Sequence, residues 1–237
     1  MAEITERHHI SIFDTTSQVI VNTVNCDGVM GRGLALEFKM RFPSMYERYR
    51  KTCERGLIHP GTLQLYTETT PWILNFPTKN HWKYPSKLAY IQAGLEKFVE
   101  TYREKVITSV AFPKLGAASG KLDWNTVRKL MYKYLTPLPN LQVEIYHFDP
   151  DAKDSFFEKF YNRVNHFAID DYIYGIGLSK CQATLLHEAV FSGSVNNMQG
   201  IQRIKGVGEK SLKAVYDFVN CPESGLLAST SKQLELF

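Results

Sequence analysis

Two asparagines and three glycines recur at short spacing in one stretch of the chain: Asn22, Asn25, Gly28, Gly31 and Gly33. The apolar run Val19 to Val24 leads into them, and a helical pattern with Leu34, Ala35, Phe38 and Phe42 on one face follows. A strand, a glycine-bearing loop and a helix start present bare backbone N–H groups to a phosphate. Glycine there permits positive φ and a close approach by the ligand. A second junction repeats the pattern. After an apolar run ending at Phe112 come Leu115, Gly116, Ala117, Ala118, Ser119, Gly120 and Lys121. Asp123 then stands where a helix N-cap belongs. Two such loops at the carboxyl ends of strands make a crevice suited to a diphosphate.

Between the loops lies Lys79, just past a strand-like run through Ile73, Leu74 and Phe76. By position alone a strand-end lysine is a solvated cation. Its neighbours argue otherwise. Pro77 stiffens the approach, Thr78 precedes it and Trp82 offers an aromatic wall. A lysine desolvated beside other cations gives up its proton and becomes a nucleophile.

The elements that must hold these residues alternate. Strands are expected near 8–14, 19–24, 62–67, 72–76, 106–113 and 143–148. Helices are expected over about 33–54 (interrupted at Pro43), 86–103 and the stretch carrying Val127, Leu130, Met131 and Tyr134, with a last one from Asp151 to about Asn165. Alternation of this kind predicts an α/β layered sheet covered on both faces. After about residue 166 the texture changes. The stretch from Ala168 to Gly177 reads as a connection, and short helical patterns follow near 179–191, 195–204 and 208–219. The expected organisation is therefore a first domain over 1–165, a small helical module over 166–220 and a flexible tail over 221–237.

Composition narrows the class. The chain has 237 residues and a net charge of +4, which permits an anionic partner without requiring one. Its apolar runs fall short of the ~18 residues of a membrane span, and its opening residues are polar, unlike a secretory signal. Cys26, Cys53, Cys181 and Cys221 show no metal-ligand spacing, so neither a metal nor a cofactor is expected, and a cytoplasmic setting is.

Taken together, the three segments resemble the macrodomain, the ADP-ribose-binding three-layer α/β/α fold with a mixed sheet, and within it the DarG branch of DNA ADP-ribosyl glycohydrolases. The resemblance covers about residues 8–165. It is carried by Asn22 to Asn25 with Gly33 to Lys39, by Phe76 to Lys79 with His81 and Trp82, and by Leu115 to Trp124. It implies removal of ADP-ribose from a base of single-stranded DNA, with ADP-ribose as product and a DarT-like transferase toxin as counterpart. It also implies ADP-ribose contacts from Ser11, Ile12, Thr23, Asn25, Gly28, Met30, Gly31, Gly33, Pro77 and Thr78, and from Leu115 through Lys121. Lys79 and Asn22 are the expected catalytic pair, Asn22 and Asn25 orienting the distal ribose. Two positions depart from the family. Ile10-Ser11 stands where macrodomains carry Gly-Asp for the adenine, and Gly120 stands where some lysine-type relatives place an acid.

Two further motifs lie beyond the first domain. The run from Ile201 to Val215 resembles a helix-hairpin-helix, with Gly206 and Gly208 in the turn and Lys205, Lys210 and Lys213 disposed toward DNA phosphates. The last residues, Gln233, Leu234, Glu235, Leu236 and Phe237, are similar to the peptide by which bacterial proteins dock on the β sliding clamp.

Overall fold

The computed structural model describes residues 1–221, and they fall into two units, dividing after Asp149. Within the first unit, alternate residues of each strand enter two separate cores, one on each face of a sheet. Val19 and Val21 join Leu74, Phe76, Val110, Phe112, Val143 and Ile145 in one. Ile20 and Val24 join Ile73, Ala111 and Tyr146 in the other. A side chain of this size contributes roughly 1.5–3 kcal/mol when fully buried, so the central strands that carry these residues are fixed in register by both cores.

The strands are β1 (Glu3–Arg7), β2 (Val19–Val24), β3 (Gln64–Tyr66), β4 (Trp72–Pro77), β5 (Ser109–Pro113) and β6 (Gln142–Tyr146). They form one mixed sheet in the order β1-β6-β5-β2-β4-β3. The β3–β4 pair is antiparallel, and every other neighbouring pair is parallel. Helices α1 (Gly33–Arg41) and α2 (Pro43–Glu54) cover one face, while α3 (Leu88–Thr101) and α4 (Trp124–Leu135) cover the other. Pro43 opens α2, where its missing N–H costs nothing. The three-layer α/β/α arrangement expected from the sequence is present.

Two expectations about the amino-terminal residues change. The first strand is Glu3–Arg7 rather than 8–14, and Ile12–Asp14 forms a short 3-10 turn. At the edge of the sheet β1 needs only one neighbour, so its polar residues carry no apolar alternation. The expected boundary at residue 165 moves as well, because the chain divides at Pro150.

The second unit is helical. It contains α5 (Ser155–Val164), α6 (Ile169–Tyr174), α7 (Lys180–Phe191), α8 (Met198–Arg203) and α9 (Glu209–Asn220). Residues 169–174, expected from sequence to be part of a connection, thus form a short helix. Phe160 and Tyr172 are fully buried. Arg163 donates to the carbonyl oxygens of Phe218, Val219 and Cys221, closing the carboxyl end of α9.

No helix of the described residues is long and apolar enough to cross a membrane.

Candidate active site

Three parallel neighbours, β5, β2 and β4, deliver their carboxyl ends side by side. Strands β2 and β4 pair from Val19–Trp72 through Val24–Pro77. Strands β2 and β5 pair at Val19–Val110 and Ile20–Ala111, and their ladder ends there. Beyond that point the loops after β2 and β5 flank the crevice that an α/β sheet offers a ligand. Both glycine-bearing loops therefore lie at the same end of the sheet, beyond the carboxyl ends of its central strands.

The first loop is built by Asn25. Its side-chain oxygen accepts the N–H of Asp27 (2.9 Å) and of Val29 (3.2 Å), and its amide donates to the Val29 carbonyl (2.6 Å). The buried Tyr49 hydroxyl donates to the Asn25 carbonyl from α2 at 2.6 Å. Gly28 lies at φ +80°, with Arg50 and Cys53 at contact distance from any side chain there. Met30 is buried, whereas Gly31, Arg32 and Gly33 are exposed. Arg32 occupies the N-cap of α1 and supplies no side-chain cap. The amino end of α1 thus offers unclaimed N–H groups and partial positive charge at the crevice.

Asn22 takes a different place from the one expected. Its side chain is completely buried on the α1/α2 face of β2 and donates to Asn75 Oδ1 at 2.9 Å. It supports the floor beneath the first loop and has no exposed surface to offer a ribose. The reason is physical: a lone amide in an otherwise apolar strand must find a buried partner, and Asn75 is its register neighbour on β4. Thr23, facing the opposite side of the sheet, is partly exposed.

The second loop is equally constrained. Gly116 has φ +64°, and a Cβ on Gly120 would fall 2.2 Å from both the Gly116 carbonyl oxygen and Ser86 Oγ. No acidic side chain fits at position 120, so the family's acid is sterically excluded here. Leu115 and Gly116 are buried, while Ala118, Ser119 and Lys121 are exposed. Asp123 caps α4 through the Thr126 N–H (2.8 Å), as expected.

Lys79 joins the two loops. Its amide and that of Thr78 approach the Val24 carbonyl, at 3.4 and 2.9 Å. Its carbonyl accepts from Cys26 Sγ at 3.3 Å. From the end of β4 the side chain reaches past the end of β2, and Nζ donates to the Ser119 carbonyl at 2.8 Å. Partial burial lowers its pKa from the ordinary 10.5, and the cationic Arg32 and Lys121 lower it further. The Cys26 thiol next to it is pushed up to about 12, chiefly by burial, which removes it as a competing nucleophile.

With this geometry in view, known proteins match. The Macro domain family profile matches residues 21–131. The solved structure of the macrodomain of Mycobacterium tuberculosis DarG is 41% identical, with a TM-score of 0.60; the match covers 63% of this chain and all of that one. The chain belongs to the macrodomain family. The curated DNA ADP-ribosyl glycohydrolase of M. tuberculosis is 45% identical over 134 residues, 55% of this chain and 38% of that protein. A DNA ADP-ribosyl transferase-DNA ADP-ribosyl glycohydrolase fusion protein of Thermosipho africanus is 35% identical over 154 residues, 57% of this chain and 39% of that one. The structure of T. africanus DarTG in complex with ADP-ribose aligns with a TM-score of 0.55 and 36% identity, over 60% of this chain and 42% of that one. The aligned part is thus well under half the length of these curated relatives.

In this macrodomain the two residues expected at the adenine lie before β2 and outside the sheet. Ser11 lies outside the sheet, and its hydroxyl accepts the Phe13 N–H to cap the 3-10 turn; Ile12 is buried. Sequence spacing contains no sign of Tyr49 as the clamp on the first loop, or of a cluster formed by Glu6, His8 and His147. That cluster brings candidate metal-ligand atoms within 4.8 Å of one another. Its Glu6 is already bonded to Arg128, Tyr132 and His147, and those bonds hold its carboxyl below the usual range.

In the second unit, Gly206 turns at φ +101° between α8 and α9, Gly208 is the uncapped N-cap of α9, and Lys205, Lys210 and Lys213 are all exposed. Lys213 pairs with Asp217. The residues expected to form a clamp-docking peptide, Gln233, Leu234, Leu236 and Phe237, lie outside the described residues.

Proposed function

We propose that this macrodomain removes ADP-ribose from ADP-ribosylated DNA, with Lys79 as the reacting group. The observation that carries the reading is the Lys79 amine. It is held at Ser119 between two loops with anion-binding character, and its proton affinity is lowered by burial and by Arg32 and Lys121. The diphosphate lies against the backbone of the exposed Gly31–Gly33 and of the half-buried Ala117 with the exposed Ala118 and Ser119. The neutral amine attacks the anomeric carbon. The bond to the base breaks, its electron pair stays on the base nitrogen, and that nitrogen takes up a proton. The nitrogen of the glycosylamine so formed gives up a proton, and the ribose ring opens with the C–O electron pair on the ring oxygen, which takes up a proton. Water hydrolyses the resulting protonated imine to free ADP-ribose and restore the amine. Positive charge developing at the sugar is stabilised by the adjacent diphosphate.

The names of the curated relatives support DNA as the carrier. The T. africanus fusion supports an ADP-ribosyltransferase of the DarT kind as the enzyme whose product this chain consumes. The helical unit adds sequence-independent phosphate contacts through Lys205, Lys210 and the Gly206–Gly208 turn, in the cytoplasm where such DNA is found. Docking of the last residues on a sliding clamp completes the proposal.

The test is release of ADP-ribose by the purified chain from single-stranded oligonucleotides modified on defined bases, run beside ADP-ribosylated peptides. Turnover of the oligonucleotides and not the peptides is expected. Turnover of peptides alone would overturn the DNA assignment, and binding of ADP-ribose without turnover of either would make the chain a reader.

A further inference from the structure

The loop immediately after Lys79 spends its surface on aromatic rings. Trp82 is 46% exposed and Tyr84 67% exposed. Single exposed apolar residues carry no message, whereas a contiguous aromatic group beside a reactive residue does. His81 lies between them, its ring stacked with Trp82 (centroids 6.1 Å apart, planes 20°) and tilted against Tyr84 (5.2 Å, 47°). Lys83 Nζ sits 5.2 Å from the Trp82 ring centroid. The strip is anchored rather than loose. Asp27 of the first loop accepts the Trp82 N–H at 2.7 Å and stands 3.9 Å from the His81 ring, and the Tyr84 N–H donates to the His81 carbonyl at 3.1 Å. Asp27 therefore ties these rings to the loop that shapes the ADP-ribose crevice.

We propose that His81, Trp82 and Tyr84 form a stacking platform for the nucleotides flanking the modified one in a single DNA strand, with Lys83 beside their phosphates. This rests on the reading of the crevice as a site for ADP-ribosylated DNA, and it extends that reading from the reacting sugar to the strand that carries it. Rings held open to solvent stack on the π-faces of unpaired bases whatever their sequence. A base paired inside a duplex has no free face to give them. Charge complements the rings, since Lys83 lies beside Trp82, and Arg32 and Lys121 are the cations that act on Lys79.

The experiment compares Trp82→Ala, Tyr84→Ala and Trp82→Phe in the full chain. KM is measured for an ADP-ribosylated single-stranded decamer and for the ADP-ribosylated mononucleotide, and Kd for the unmodified decamer. The alanine variants are expected to raise KM for the decamer by about fivefold to a hundredfold. Tyr84→Ala leaves KM and kcat for the mononucleotide unchanged, and Trp82→Phe restores most of the decamer affinity. Equal effects of Tyr84→Ala on both substrates, or no effect of the alanine variants on the decamer, would overturn the platform. Should the wild type release ADP-ribose from neither substrate, the parent reading fails. The platform is then decided by Kd for the unmodified decamer alone, with weaker binding by both alanine variants supporting it and unchanged values overturning it.

Discussion

At the scale of single residues, Lys79 differs from an ordinary surface lysine in what surrounds it. Burial acts first and two cations second, and all of them disfavour the protonated amine. The sign for activity follows directly. Protonated lysine is not a nucleophile, so kcat/KM rises with pH through a midpoint below 10.5 and falls as the amine gains its proton. Lys121→Gln removes one of the cations and moves that midpoint upward, which a pH–rate profile of the two proteins reads out. The lysine, both glycine loops and the Asp123 cap were legible because each belongs to a local pattern of a few residues. The burial of Asn22 was not, since its partner Asn75 lies on a neighbouring strand and only register brings them together. Gly120 was legible as a departure from the family, but its reason required the folded loop, where Gly116 and Ser86 leave no room for a side chain.

At the scale of elements, the crevice depends on how closely helices approach the sheet. Gly94 in α3 faces the fully buried Phe76 of β4, and a Cβ at position 94 would lie 2.2 Å from the ring. The ring is fully buried in the same core as Leu95, Phe98 and Phe112 and has little freedom to give way. Gly94→Ala is therefore expected to destabilise the fold by about 1–3 kcal/mol, as overpacking does, and chemical denaturation measures it. An unchanged midpoint would mean that α3 shifts freely, contrary to this packing. Strongly periodic helices and doubly buried strands were visible in the sequence because two cores select their residues. The edge strand β1 and the short helix α6 were not, for the complementary reason: an edge strand is selected on one side only, and a helix of under two turns shows no period.

For the whole molecule, the ADP-ribose crevice and the helical unit are separate pieces of chemistry on one chain. The exposed Lys205 and Lys210 flank the Gly206–Gly208 turn. Reversing both to glutamate should weaken binding of single-stranded DNA uniformly across sequences. It should also lower the salt slope of log Kd by roughly 0.7 for each phosphate that the protein no longer neutralises. Release of ADP-ribose from a modified mononucleotide should not change. A salt slope identical to that of the wild type would remove the unit from DNA binding. The division at Pro150 precedes the boundary expected from sequence because α5 follows the last strand as a crossover helix would. The sequence of α5 alone does not tell which core receives its apolar face.

Lys79 as the reacting group is tested by the single-turnover rate of ADP-ribose release by Lys79→Ala from a modified single-stranded oligonucleotide, with free ADP-ribose affinity measured on the same protein. Release is expected to be abolished while affinity stays within a few fold of the wild type. Release at the wild-type rate would contradict that role.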